Sequence, residues 1–171
     1  MGGRSIPPNY VIEPLGPNHD RAGFSSGVPD LDRYFKQQAS QDLKRKLAAV
    51  FVLTPDGKSV AGFYTLSAHT IEADKLPANL GGKLPGFPIP ATLLGRMAVA
   101  QTLRRQGLGE FLLLHSLERA LHASRQVASW AVLVDAKPEA RDFYIKYDFL
   151  PIPSQPARLF LPMKTIENMF E

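Results

Sequence analysis

The sequence predicts a mixed α/β fold, a mostly antiparallel sheet with helices on both faces. Three observations carry that expectation. Strand-like segments come first in hairpin order and then alternate with helical ones. An apolar run ending in a basic, glycine-bearing turn leads at once into a leucine-rich helical pattern over Leu93–Glu110, which reads as strand, turn and helix. Finally, 171 residues of 44% hydrophobic composition suffice for one domain with a proper core and are too few for two typical ones, so 1–171 is expected to be a single domain.

The elements follow in order. Tyr10–Leu15 reads as a first strand. From Pro29 to about Lys44 the chain reads as a helix, because Leu31, Tyr34, Phe35, Gln38, Ala39 and Leu43 fall on one helical stripe. Leu47–Leu53 and Ser59–Ala68 flank Thr54-Pro55-Asp56-Gly57-Lys58, a hairpin turn by composition. Thr70–Pro90 is dense in glycine and proline and reads as a long loop, the kind of segment that forms a lid or a substrate wall. Then come a strand through Leu93–Ala100, a helix from about Gly107 to Arg125, and a strand over Trp130–Ala136. A helix carrying Tyr144 lies within Pro138–Phe149, and Arg158–Met163 reads as a last strand.

Composition narrows the function. There is no cysteine, which excludes disulfides, thiol nucleophiles and thiolate metal sites. No apolar run reaches membrane-spanning length, and Met1-Gly2-Gly3-Arg4-Ser5-Ile6 has no signal-peptide core. Ile6 also stands where a myristoylation signal wants Ser or Thr. A soluble cytoplasmic protein without membrane partners is therefore expected. A net charge of +4 and a pI near 9.4 permit a polyanionic partner.

The turn at Arg104-Arg105-Gln106-Gly107-Leu108-Gly109 is built for phosphate. Backbone N–H groups at a helix N-terminus point outward and the helix dipole adds positive potential. Glycines at 107 and 109 remove side chains that would hold a diphosphate off those groups, while Arg104 and Arg105 add charge. Two common phosphate motifs fail here. A Walker-type loop needs Gly-Lys-Ser/Thr where this chain has Gly109-Glu110-Phe111, and a dinucleotide fingerprint needs a third glycine where Leu112 stands.

What remains, Arg-x-x-Gly-x-Gly, resembles the coenzyme A loop of the GNAT N-acetyltransferases. The context agrees: Trp130–Ala136 stands where that family has its fifth strand. The following Ala140-Arg141-Asp142-Phe143-Tyr144-Ile145-Lys146-Tyr147-Asp148-Phe149 is similar to the family's "Ala…Phe-Tyr-x-x-aromatic-Gly-Phe" signature. Asp148 replaces the usual glycine there, and Asp can adopt the left-handed turn at some cost. The resemblance implies that acetyl-CoA is the cofactor and that Tyr144 is the general acid. It implies cofactor contacts at Met97, Ala98, Val99, Arg104, Arg105, Gln106, Gly107, Leu108, Gly109, Glu110, Asp135 and Phe143, with backbone groups of Met97 and Val99 serving the acetyl carbonyl and pantetheine arm. Phe143, like Tyr147 and Phe149, also reads as a packing residue.

The likeness sharpens to one branch. Phe24–Phe35, Phe63–Ala68, Leu94–Val99, Val134–Lys137 and Arg158–Ile166 are similar, in order, to the acetyltransferase toxins of bacterial toxin–antitoxin pairs. That resemblance implies acetylation of the α-amino group of aminoacyl-tRNA, a block of translation, neutralisation by a ribbon-helix-helix antitoxin, and a homodimer. Chemistry is compatible with it. A lysine amine, with pKa about 10.4, needs a strong base near neutrality, whereas an α-amino group titrates at roughly 7.7–8.0. No compelling base stands out in the sequence.

For the acceptor, Arg33, Lys36, Lys44, Arg45 and Lys46 form a basic cluster on and after the first long helix. Contact with tRNA phosphates, docking of an acidic antitoxin segment and a merely solvated helix face are all open readings. Arg96 stands out within an apolar strand, where a guanidinium needs a partner or a wet pocket. The histidines show no metal-pair spacing, His115 and His122 lying seven apart, so no metal is expected. The competing functions are acetyl transfer to a small amine or a protein lysine, and a non-catalytic interaction subunit that keeps the fold.

Overall fold

Alternating apolar segments pair into one seven-stranded sheet of order β1-β2-β3-β4-β5-β7-β6, seen in a computed structural model that describes residues 9–171. The strands are β1 (Val11–Pro14), β2 (Ala49–Thr54), β3 (Gly62–Ile71), β4 (Ile89–Val99), β5 (Ala131–Asp135), β6 (Leu150–Ile152) and β7 (Gln155–Pro162). The helices are α1 (Pro29–Gln37), α2 (Ala39–Lys44), α3 (Ala78–Gly81), α4 (Leu108–Ser124), α5 (Arg141–Lys146) and α6 (Met163–Met169). β4 and β5 are parallel, while β1–β2, β2–β3, β5–β7 and β6–β7 are antiparallel. The mixed sheet expected from the sequence is present. Met1–Ile6, on which the expected lack of a leader rests, lie outside the described residues.

Two compact units share the chain, one of residues up to Ser67 with Arg96–Ser116, the other of Ala68–Gly95 with Leu117–Glu171. In the first, the turn between β2 and β3 is made by Asp56. Its carboxylate accepts the N–H groups of Lys58 (2.8 Å) and Ser59 (2.7 Å) and the Ser59 hydroxyl (2.9 Å), while Gly57 takes φ 78. Those backbone bonds hold the Asp56 carboxyl down to about 2.

The single helix expected from Pro29 to about Lys44 is instead two helices, α1 and α2, parted at Gln38 (φ −118, ψ −33). Asp42 secures the elbow by accepting from the Gln38 amide and the Tyr34 hydroxyl, each at 2.9 Å. The apolar stripe survives the break. Tyr34, Phe35 and Ala39 are buried against Phe24, Val50, Val52, Phe63 and Ala98. Phe35 stacks on Phe63 with centroids 4.4 Å apart, and Phe24 meets both edge-on at 5.1 and 5.7 Å. Such aromatic pairs contribute about 0.5–1.5 kcal/mol each beyond burial.

In the second unit Ala131, Val132, Leu133 and Val134 are all buried, as an inner strand covered on both faces requires. Leu133 and Phe160 pack with Ile71, Ala73, Leu76, Ile89 and Ile152, and Trp130 stacks on Phe160. Part of the expected Thr70–Pro90 loop is thus ordered and apolar at its base: a 3₁₀ turn (Ala73–Lys75) and α3 interrupt it. The Tyr144 helix lies within the expected stretch, as a 3₁₀ turn over Pro138–Ala140 and then α5. Asp148 ends it in the left-handed region (φ 72), the Asp148 and Phe149 amides bonding back to Ile145 and Tyr144, so the turn forms without glycine as anticipated. At the C-terminus β6 is an extra strand too short for periodicity to show, and α6 takes over at Met163.

Candidate active site

The phosphate-type turn is fastened at its start by backbone. The Ala100 N–H donates to the Ala61 carbonyl (2.8 Å) and the Gln101 N–H to the Ser25 carbonyl (2.9 Å). One 3₁₀ turn follows over Gln101–Leu103; then Arg104 is extended, Arg105 is left-handed (φ 65) and Gly107 has φ 79. α4 starts at fully buried Leu108, and its first closed turn is the Phe111 N–H to the Gly107 carbonyl, 3.0 Å. The amides of Leu108 and Gly109 lie ahead of that bond, at the positive end of a 17-residue helix.

Gly109 is the informative residue. A Cβ added there would meet only Val99 Cγ2, at an ordinary 3.9 Å. The fold therefore does not need glycine at this position, and the bare backbone suits close approach of a diphosphate. Arg104, Arg105, Gln106 and Gly107 are exposed, and Gly109 and Glu110 half-buried. Arg104 has a structural task as well: its Nη2 donates to the Ser26 carbonyl at 2.6 Å. Ser26 is in turn tied to Asp32, whose carboxylate accepts both its N–H (2.8 Å) and its hydroxyl (2.6 Å). Gly27 (φ 82) is required, because a Cβ would come within 2.7 Å of Gln101 Oε1 and 2.8 Å of Arg104 Nη2. Sequence reasoning missed this buttress, although Ser25-Ser26-Gly27 followed by Asp32 in the first helix was its signal.

Met97 and Val99 are half-buried and Ala98 is buried. They lie on β4 past Leu94, the last residue in register with β5. In the second unit, Tyr144 on α5 is buried, its ring edge-on to Phe143 and Phe149 at centroid distances of 5.3 and 5.4 Å. Among the described residues no side-chain hydrogen bond engages its hydroxyl, and no fully buried polar side-chain atom lacks a partner. The phenol oxygen therefore keeps an open face. Burial pushes the phenol up to about 12, so it stays protonated at neutral pH. Phe143 is half-buried, edge-on to Tyr144 and Tyr147. The Asp135 carboxylate is clamped by Arg158, through Nε at 2.7 Å and Nη2 at 2.9 Å, and that bond holds its carboxyl below the ordinary range.

On the acceptor side Arg96 does find a partner. Its guanidinium lies over the Tyr34 ring, 3.7 Å from the centroid, and the backbone N–H of Arg96 donates to Thr65 Oγ1. Arg33, Lys36, Lys44, Arg45 and Lys46 are all exposed; Arg33 pairs with Asp30 at 3.2 Å, and Lys46 is left-handed (φ 62) where α2 ends. His19 is held by Glu13 and the Gly16 N–H, and His115 meets the Tyr64 hydroxyl at 2.9 Å. Among the described residues no group of three or more metal-type ligands is assembled, and no helix is long and apolar enough to cross a membrane.

A mixed sheet in which a glycine-bearing turn opens a long helix fits the acyl-transfer class of protein. A model of the family described as "Acetyltransferase (GNAT) domain" matches residues 46–151, and the chain belongs to that family of N-acetyltransferases. It is 36% identical over 170 residues to a probable toxin TacT of Sinorhizobium fredii, covering 93% of this chain and 94% of the relative. It is also 36% identical to a tRNA-acetylating toxin of Mycobacterium tuberculosis, covering 85% and 87%. The solved complex of AtaT with acetyl-methionyl-tRNAfMet superposes with a TM-score of 0.88 at 28% identity, covering 95% of this chain and 99% of the other. A variant of AtaT bound to the C-terminus of the antitoxin AtaR and acetyl-CoA matches with a TM-score of 0.81 at 25% identity, covering 95% and 98%.

Proposed function

We propose that this chain is a toxin that moves the acetyl group of acetyl-CoA to the α-amino group of aminoacyl-tRNA and thereby blocks translation. The observation that carries this reading is the likeness, over most of the chain, to a relative named for tRNA acetylation. The residues support it. Acetyl-CoA supplies an activated acetyl thioester, which the acceptor amine takes over with release of the CoA thiol. The spare room at Gly109 fits such a cofactor, since the protein itself makes no use of the missing side chain. Main-chain groups of Arg104, Arg105, Gln106, Gly107, Leu108, Gly109 and Glu110 would hold the diphosphate, and those of Met97, Ala98 and Val99 the pantetheine arm. Asp135 and Phe143 would flank it.

Tyr144 is the proton donor. With its pKa pushed up to about 12 the phenol cannot serve as a base at neutral pH, but it holds a proton at Oη for the departing sulfur. The acceptor amine needs little help, because an α-amino group at roughly 7.7–8.0 is substantially neutral near physiological pH. Exposed Arg33, Lys36, Lys44, Arg45 and Lys46, with Arg96 presented on Tyr34, would meet tRNA phosphates. We infer further that the whole chain acts as one GNAT domain in the cytoplasm, as a homodimer restrained by a ribbon-helix-helix antitoxin. Incubation of the purified protein with labelled acetyl-CoA and charged tRNA should place label on the aminoacyl end. Label confined to polyamines or to protein lysines would overturn the assignment.

A further inference from the structure

The turn from Arg104 to Gly107 is exposed and carries two left-handed residues, Arg105 (φ 65) and Gly107 (φ 79). A left-handed arginine is strained, so the turn keeps its shape only if something outside it holds it. Leu103 packs on the aromatic core before it, and Leu108 is buried after it. Between those anchors the grip comes from Arg104, whose Nη2 donates to the Ser26 carbonyl at 2.6 Å.

That carbonyl belongs to a corner fixed by α1, within the same unit as the turn. Asp32, half-buried on α1, accepts the Ser26 N–H and hydroxyl through one carboxylate oxygen, at 2.8 and 2.6 Å. The Ser26 oxygen in turn accepts the Val28 N–H at 3.1 Å. A single peptide unit extends the effect to the start of the turn. Its carbonyl, that of Ser25, accepts the Gln101 N–H at 2.9 Å, and its N–H, that of Ser26, is the one Asp32 holds. A negative charge on the N–H side of an amide polarises it and strengthens its carbonyl as an acceptor. Asp32 makes neither fastening itself, yet it stands behind both: Gln101 through Ser25, and Arg104 through Ser26.

We propose that Asp32 is a positioning residue for the coenzyme, presetting the turn so that the amides at the start of α4 meet the diphosphate without reorganisation. The proposal rests on the coenzyme reading of this turn and deepens it. Asp32 also lies in the first turn of α1, where a carboxylate favours the helix through its dipole. A role confined to α1 would lower the melting temperature and leave coenzyme affinity alone. A positioning role changes the affinity itself.

The test is calorimetry of coenzyme A binding to the full chain and to Asp32→Ala, Asp32→Asn, Arg104→Leu and the Asp32→Ala/Arg104→Leu double variant. Asp32→Ala should weaken binding about tenfold, and Asp32→Asn, which still accepts from Ser26, by about threefold or less. In the Arg104→Leu background the loss caused by Asp32→Ala should shrink to about threefold or less, because one of its two routes is already gone. Single-turnover acetyl transfer at saturating acetyl-CoA should be unchanged in Asp32→Ala, so the effect falls on KM and not on kcat. Should Asp32→Ala not fold, Ser26→Ala removes only the hydroxyl bond, and its smaller loss of affinity should shrink in the Arg104→Leu background in the same way. Unchanged affinity in Asp32→Ala, or an equal loss with and without Arg104, would overturn the positioning role. Coenzyme A affinity indifferent to both Arg104→Leu and Gly109→Ala would instead overturn the placement of the coenzyme at this turn.

Discussion

At the scale of single residues, Tyr144 combines a ring locked among aromatics with a hydroxyl that the protein leaves open. Tyr144→Phe should therefore keep the fold and lower acetyl transfer by about 10²–10⁴-fold, as removal of a positioned general acid does. Single-turnover transfer measured beside a thermal melt separates the two effects; a large drop in melting temperature would mean that the hydroxyl is structural. The raised pKa also makes a stability prediction. Tyr144, through burial, and Tyr34, through burial and its bond to Asp42, are both pushed up to about 12. The folded state then holds phenolic protons that the unfolded chain releases near pH 10. This contribution is complete below about pH 10 and is lost as pH climbs toward about 12. Urea midpoints should fall across that window, and Tyr144→Phe should flatten the fall.

At the scale of elements, the start of α4 holds a glycine that its surroundings do not demand. Gly109→Ala should leave the melting temperature unchanged or raise it, since alanine in a helix is favoured over glycine by about 0.5–1 kcal/mol. The same change should weaken coenzyme A binding tenfold or more by calorimetry; unaltered affinity would remove the helix start from the cofactor site. This element was readable because its signals are local: an apolar strand, a basic turn with glycines and a leucine-rich helix lie consecutively. The Asp56 turn and the left-handed Asp148 were legible for the same reason. The break at Gln38 was not, because it depends on side-chain bonds to Asp42 within an unbroken apolar stripe. Nor was the partner of Arg96, since Tyr34 is distant in sequence and meets it only through folding. The Arg104–Ser26 buttress and the Arg158–Asp135 clamp are long-range in the same way, so two charges that read as ligand contacts turned out to have protein partners as well.

For the molecule as a whole, the basic residues Lys44, Arg45 and Lys46 crowd the end of α2 and all face solvent. Acetylation of charged tRNA should decline steeply between low and moderate salt, and Lys44→Ala/Arg45→Ala/Lys46→Ala together should shallow that dependence by about one unit of slope for each phosphate left unneutralised. A parallel assay with a neutral small amine should show no such salt effect; the same decline there would trace it to the enzyme and not to RNA capture. Gly109 also exposes the protein to easy loss of activity over generations. A methyl group at that spot meets no obstacle in folding and gains helix stability, so nothing but the ligand opposes it. A population relieved of the need for this activity could silence the protein by a single-residue change and keep it intact, abundant and still recognisable to whatever partner binds its surface.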